Sequence, residues 1–534
     1  MGTVDEYVKR ALVDGDFTGC EQDITRVLQL YYPWIQVQFG GPWEANENPG
    51  NSEASAPAQL SALHVQIDGR EQAGAHVYEV VLQIGGAVAK AARAVPMVVA
   101  PVSLRERRRP VKHALRRALY EALVVLTGHK QPWGALTGVR PGKLVHSAFR
   151  SGTREAGALR RYLQDEYGVE DSRAALLVEI AERERSALPD LYDLGRAVSV
   201  YVGIPFCPTH CAYCTFPAYS MVEKARYAEG FLTVLLKEIK RAGDLLRAYG
   251  ITVTTVYVGG GTPTSLKAGE LQVLLAALRE HLPGASSWRE LNVEAGRADT
   301  ITPDRVKVMR EAGVTRVSVN PQSFRAATLK AIGRGHSPEI VDKRFALFRD
   351  AGFTNINMDV ILGLPGETLD DVRYTLERTL RLAPDAVTVH TLSLKRSSAV
   401  TRERDAYAVA PDTEVRAMMD LADREVRAAG QRPYYLYRQK DILANLENIG
   451  YALPGKEGLY NISIIEEAQT ILALGGGAAS KWVSPAKGVI GRHQNPREPS
   501  VYVGTQDAVW EQKERVLRPL FEEMAASAHT APVI

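Results

Sequence analysis

The sequence predicts an α/β fold built on a parallel sheet, on three observations. First, β-rich runs at 199–204, 253–261, 290–296, 316–322, 355–363 and 385–394 alternate with helix-period runs that follow most of them. Second, an alternation of this kind is the pattern of parallel strands joined by helical crossovers. Third, the residues with chemistry to offer gather where the β runs end, which is where such sheets place their sites. Six units are two short of a closed eight-fold barrel. An open doubly wound sheet satisfies the same pattern.

Taken in chain order, residues 1–195 read as a separate α+β domain. An apolar–aromatic stretch precedes the polar segment 44–58, which has no periodicity and reads as a flexible loop. Alternating runs at 60–69 and 76–86 predict strands. Leu115, Leu119, Leu123 and Leu126 mark the apolar face of a helix near 110–127. Residues 196–400 hold the six strand–helix units. Residues 401–534 read as a mainly helical C-terminal domain that closes the site, with an aromatic stretch at 434–440 and a glycine run at 475–477.

At 534 residues the chain is long enough for several cores. A net charge of only +3 argues against a nucleic-acid partner. No apolar run is long enough to span a bilayer. The mixed, charged N-terminus does not fit a signal peptide. With four cysteines and no disulfide framework, the expected compartment is the reducing cytoplasm. No long exposed apolar helix face invites a second copy, so a monomer is expected.

Three of the four cysteines fall within eight residues, as Cys207, Cys211 and Cys214 in the spacing C-x3-C-x2-C. Thiolates so close together suit one metal centre, and thiolate is the ligand of iron–sulfur clusters. A four-iron cluster normally takes four cysteines, so three leave one iron open for chemistry. A zinc site is the alternative, with His210 between two of the cysteines as the nearest further ligand.

The later strand ends add further candidates. Gly260, Gly261 and Thr262 lie in a GGGTPT turn, where glycines let a ligand approach the backbone. Glu294 is a carboxylate on a strand bound for the core, so it must be paired or hold a ligand. Gln322, Arg334 and Asp359 follow, with ion pairs to Arg334 or Arg316 as the structural alternative for the two acids. His390, Thr391, Leu392, Lys395 and Arg396 end the sixth run. The GLPGET string at 363–368 reads first as a turn.

The strings YVGIPFCPTHCAYC, VGGGTPT, VNPQSF and DVILGLPGET resemble the radical S-adenosylmethionine (SAM) enzymes, and within them the oxygen-independent coproporphyrinogen III oxidases. WGALTGVRPGK (133–143) and the string at 437–461 resemble the long, N-terminally extended branch of that family. The resemblance implies a partial (β/α)6 barrel, with a 4Fe-4S cluster on Cys207, Cys211 and Cys214 and SAM on its open iron. It implies SAM contacts from Tyr201, Gly260, Gly261, Thr262, Glu294, Gln322, Arg334, Asp359 and Thr391, with no catalytic residue beyond the cluster and SAM. For Tyr201 the alternative is a half-buried strand aromatic. The implied reaction is oxidative decarboxylation of two propionates of coproporphyrinogen III, giving protoporphyrinogen IX in heme biosynthesis. Arg140, Lys143, Lys395, Arg396 and Arg438 are candidate anchors for the porphyrinogen carboxylates. A low-potential donor such as flavodoxin or ferredoxin would reduce the cluster. Two departures keep a second reading, a heme-binding trafficking protein, in play. Phe216 stands where the best-known oxidases have a fourth cysteine. His493, Asn495 and Tyr502 do not match the H-N-x-x-Y-W string of the heme-chaperone relatives.

Overall fold

The structure is a computed structural model that describes residues 8–40, 62–72, 75–84, 86–96, 104–194, 197–216, 219–220, 228–395, 397–403 and 407–526. The segment 44–58 and Arg396 lie outside the described residues. The chain divides into two compact units, one of residues 1–138 and 147–178, the other of 139–146 and 179–534.

The first unit is a five-stranded sheet of β1 (Arg10–Gly15), β2 (Gln36–Phe39), β3 (Leu63–Gln72), β4 (Ala75–Ile84) and β5 (Ala87–Pro96), in the order β2-β1-β3-β4-β5. The alternation in β3 buries Leu63, Val65 and Ile67 on one face. The helix Leu104–Thr127 supplies the other half of this core through Leu115, Leu119 and Leu123, with Leu126 at its margin. Strand β5 has no counterpart in the sequence reading. Its AVAKAARAVP run is alanine-rich and lacks the branched and aromatic residues that signal a strand.

The second unit is organised by an eleven-stranded sheet. Its centre is six parallel strands in chain order: β6 (Ala197–Ile204), β9 (Thr252–Gly260), β10 (Glu290–Val293), β11 (Arg316–Ser318), β12 (Ile356–Leu362) and β13 (Ala386–Thr391). The short pair β7 (Phe206–Cys207) and β8 (Tyr219–Ser220) stands apart from it. The last third of the chain extends the sheet at both ends. Beyond β13 come β15 (Asn448–Ala452) and β14 (Arg432–Tyr437). Beyond β6 come β16 (Thr470–Gly475), which is parallel to it, then β17 (Ala479–Ser484) and β18 (Gly488–Gln494). The C-terminal region thus holds five strands beside its helices. The sheet is not a closed barrel.

The two faces of the central strands differ in chemistry. Val198, Val200, Val202, Val256, Val258, Leu291, Val293, Val317 and Met358 join the helices in one apolar core. The intervening residues put Ser199, Tyr201, Tyr257, Asn292, Glu294, Asn320, Asn357, Asp359 and His390 on the opposite face. A parallel sheet covered on both sides normally carries aliphatic residues on both faces. Here the second face is polar instead.

Candidate functional site

The cysteine loop starts where β6 ends, and backbone hydrogen bonds pin it to the next strand. Gly261 N donates to Ile204 O at 2.7 Å, and Thr262 N donates to Phe206 O at 2.7 Å. Glycine is required at both positions of this turn. Gly260 has φ +109°, and a Cβ at Gly261 would lie 2.5 Å from Phe206 O and 3.0 Å from Cys207 Sγ. Further along, Ala212 N donates to Ile332 O at 2.9 Å. The loop is therefore held by the ends of three strand–helix units.

The three cysteines are unpaired thiols lining a cavity of about 340 Å³. Gly260, Gly261, Thr262, Glu294, Gln322, Arg334, Asp359 and Thr391 line the same cavity. Tyr201 is not among the lining residues. It lies deeper on the polar face, in a stack where the Tyr201–Tyr257 centroids are 6.0 Å apart and the Tyr257–Tyr460 centroids 4.7 Å. Thr391 is at the wall, with its hydroxyl committed to Glu447 O at 2.9 Å.

Of the candidate carboxylate anchors, Lys395 lines the cavity. Arg140 and Lys143 instead pair with Glu467, Arg140 at 2.9 Å. Arg438 is buried and donates to Asn445.

Arg297, Asn320, Tyr213 and His390 also line the wall. Tyr213, as a neighbour shielding the cluster, and His390 stand out in the sequence; Arg297 and Asn320 do not. Arg297 is held bidentately by Asp299 at 3.0 and 2.7 Å and reaches Cys211 Sγ at 3.6 Å. Arg334 donates to Tyr213 OH at 3.1 Å, Gly296 O at 2.9 Å and Asn320 O at 2.6 Å, and lies 4.0 Å from Cys211 Sγ. Two guanidinium groups thus face one sulfur. Asn320 donates to Asp359 at 2.7 Å. The signal for Arg297 was its place three residues after Glu294, still within the turn that follows β10.

The two acids of the wall differ in charge. Burial, reinforced by the charge on Asp359, pushes the Glu294 carboxyl up to about 7. Burial would raise Asp359 too, but His390, Asn357 and Thr388 outweigh it and hold this carboxyl below its usual range. Near neutral pH the cavity therefore presents one fixed carboxylate and one carboxyl able to exchange a proton. Burial pushes the Cys207 thiol up to about 11, and Cys214 rises for the same reason. Thiols so held lose their protons when a metal takes the proton's place.

The residues fit an iron–sulfur cluster with a small-molecule partner. Three soft donors share one wall, and the glycine turn leaves room beside Cys207 that any Cβ would fill. Gln322 Oε1 and Arg334 Nε are buried with no hydrogen-bond partner. Gln322 is also one of the few non-glycine residues at positive φ, +64°. Strain and unmet polar atoms together mark a place shaped for a ligand.

The sequence matches the radical SAM superfamily over residues 201–379. It is 39% identical over 500 residues, 94% of this chain and 96% of the relative, to the oxygen-independent coproporphyrinogen-III oxidase-like protein HemZ of Bacillus subtilis (strain 168). It is 35% identical over 247 residues, 46% of this chain and 62% of the relative, to the heme chaperone HemW of Mycobacterium tuberculosis (strain ATCC 25618 / H37Rv). Among solved structures, the coproporphyrinogen III oxidase HemN of Escherichia coli aligns with a TM-score of 0.49 at 22% identity, over 61% of this chain and 72% of that one.

Proposed function

The chain belongs to the oxygen-independent coproporphyrinogen-III oxidase-like family of radical SAM proteins, and from that premise we propose that it converts coproporphyrinogen III to protoporphyrinogen IX. Its cofactors are a 4Fe-4S cluster and SAM. Cys207, Cys211 and Cys214 would hold the cluster. Gly260, Gly261, Thr262, Glu294, Gln322, Arg334 and Asp359 would hold SAM. When bound, the two supply the one-electron chemistry that removes a hydrogen atom from the β-carbon of a propionate. Each propionate then loses carbon dioxide and one further electron to leave a vinyl group. That electron would pass to a one-electron acceptor, and a low-potential donor such as flavodoxin or ferredoxin would supply the electron the cluster needs.

The single observation that carries this reading is the cavity itself, with three unpaired cysteines at the mouth of a parallel sheet whose inner face is polar. The chain's own groups have definable tasks there. Arg297 and Arg334 set positive charge beside Cys211, which favours a sulfur carrying extra electron density. Asp359, kept ionised, orients Asn320 and His390. Glu294 can hold or release a proton at its carboxyl, 3.1 Å from the Tyr257 hydroxyl. Lys395 offers a cation for a substrate carboxylate.

The second reading, heme trafficking, draws support from the 35% identity to a heme chaperone. The C-terminal residues weigh against it. Asn495 and Tyr502 both hydrogen-bond Glu238, at 3.1 and 2.6 Å, in a buried network with Lys513. Side chains committed in this way do not present themselves to a heme.

Reconstituted protein incubated without oxygen with SAM, a reductant and coproporphyrinogen III should form protoporphyrinogen IX, with deoxyadenosine appearing in step. Stable heme binding with no turnover would sink the oxidase reading in favour of the second.

A further inference from the structure

Away from the cysteine loop, three metal-ligating side chains meet in the interior of the same compact unit. His146 comes from the helix Gly142–Arg150, Glu184 from the helix Asp171–Ala187, and Glu466 from the C-terminal cap of the helix Leu459–Ile465. They are 3%, 0% and 8% exposed. One ligand atom from each lies within 4.8 Å of the others, and among the described residues no other group of three His, Cys, Asp or Glu does so.

The internal chemistry of the group calls for a cation. His146 Nε2 is 2.6 Å from Glu184 Oε2 and 3.7 Å from Glu466 Oε2. The other ring nitrogen, Nδ1, is 2.6 Å from the Tyr192 hydroxyl, which fixes the ring with Nε2 toward both acids. Outer-shell contacts of this kind orient metal-bound histidines. Glu184 Oε1 and Glu466 Oε2 are buried without a hydrogen-bond partner. Arg140, Lys143 and Lys481 converge on the next residue, Glu467, although Arg140 and Lys143 also act on Glu466 through space. Ionised, two buried carboxylates facing one imidazole would carry more negative charge than the group neutralises by itself, which is costly in an interior. A doubly charged ion balances it.

The backbone also makes room. A Cβ at Gly142 would lie 2.6 Å from Glu466 Oε1, so any larger residue there would push this carboxylate aside. Gly142 belongs to the 133–143 string, which the cluster and SAM chemistry leaves unused.

We propose that His146, Glu184 and Glu466 form a second, buried metal site that takes a first-row dication of the zinc or manganese kind and ties three helices together. Imidazole with two carboxylates suits those ions and not a soft thiophilic one. Bonds of about 2.1 Å in a tetrahedron separate ligand atoms by about 3.4 Å, so the 2.6 Å pair opens slightly on loading. Near-complete burial makes the site structural.

The test uses full-length protein with its cluster, kept anaerobic, dialysed against a mild chelator and titrated with ZnCl2 or MnCl2. Bound metal other than iron is counted by mass spectrometry. One equivalent per chain is expected, together with a zinc-dependent rise in the thermal midpoint. Glu184→Gln should weaken retention at least about tenfold and abolish the rise. Tyr192→Phe, at a half-exposed position, loosens the His146 ring without burying a new group. It should weaken retention about tenfold even if Glu184→Gln does not fold. Wild-type protein that retains no equivalent, or retention unchanged in both variants, overturns the proposal. In that case a proton shared between His146 and Glu184 holds the group together.

Discussion

Glu367 shows at the residue scale how burial writes a pH dependence into the fold. It sits in the GLPGET turn, where the sequence reading put structure before ligand binding. It is 4% exposed and accepts a hydrogen bond from Ser323. Burial pushes its carboxyl up to about 7 from an ordinary value near 4.5, against hydrogen bonds from Ser323 and Thr328 that pull the other way. The folded chain therefore holds a proton that the unfolded chain has released across that window. Stability falls as pH rises from about 4.5 to about 7, then levels off. The sum is on the order of 3 kcal/mol. Glu367→Gln, which keeps the shape of the neutral acid, should match wild type near pH 4.5 and exceed it by about that amount above pH 7. Urea unfolding across pH measures the gap, and parallel curves would refute the assignment. At this scale the sequence was legible where a residue type is rare on a strand. Glu294 and Asp359 stood out as acids among aliphatic neighbours, and the cysteines by their spacing. Arg297 and Asn320 did not, because an arginine after a turn and an asparagine before a proline are ordinary surface and turn residues until the fold aims them inward.

At the scale of elements, the turn from β9 to its following helix is what lets the cysteine loop lie flat against the sheet. Gly261→Ala forces a methyl group against Phe206 O and Cys207 Sγ, with contacts of 2.5 and 3.0 Å to relieve. Overpacking of this kind costs about 1–3 kcal/mol, and here the strain falls on a ligand-bearing loop. The variant should fold but take up less iron than wild type on reconstitution, read by iron content and cluster absorbance. Full iron loading would show that the turn does not constrain the loop. The six parallel strands were readable because β-rich runs recur at regular intervals and most are followed by a helical run. Strands β14 to β18 were not. They are short, pair partly antiparallel, and come from stretches whose tyrosines and glycines read as irregular. Their pairing is set by partners far away in sequence, as Thr470 beside Val198 shows. Strand β5 was hidden for a different reason, an alanine-rich run that its neighbour β4 recruits.

For the whole molecule, no helix among the described residues is long and apolar enough to cross a membrane. The central strands end on neither side in a bare edge, since β16 covers β6 and β15 covers β13. Bare edges template aggregation. A chain ended at residue 403 lacks both covering strands, so it should be insoluble or heavily aggregated by light scattering, although it keeps every cavity residue up to Lys395. A soluble, folded fragment would show that the six strands stand alone. The buried Glu238 adds a second tie, since it receives Lys513 and Tyr502 from the helix Pro499–Ala526 and Asn495 from the loop before it. Seen from the ribosome, this closure has a timetable. The first central strand emerges some 270 residues before the strand that covers its outer edge. At about 5–20 residues per second that is roughly 15–55 s. For that interval the nascent chain displays an unpaired β-edge, a window in which chaperones have their greatest effect on its yield.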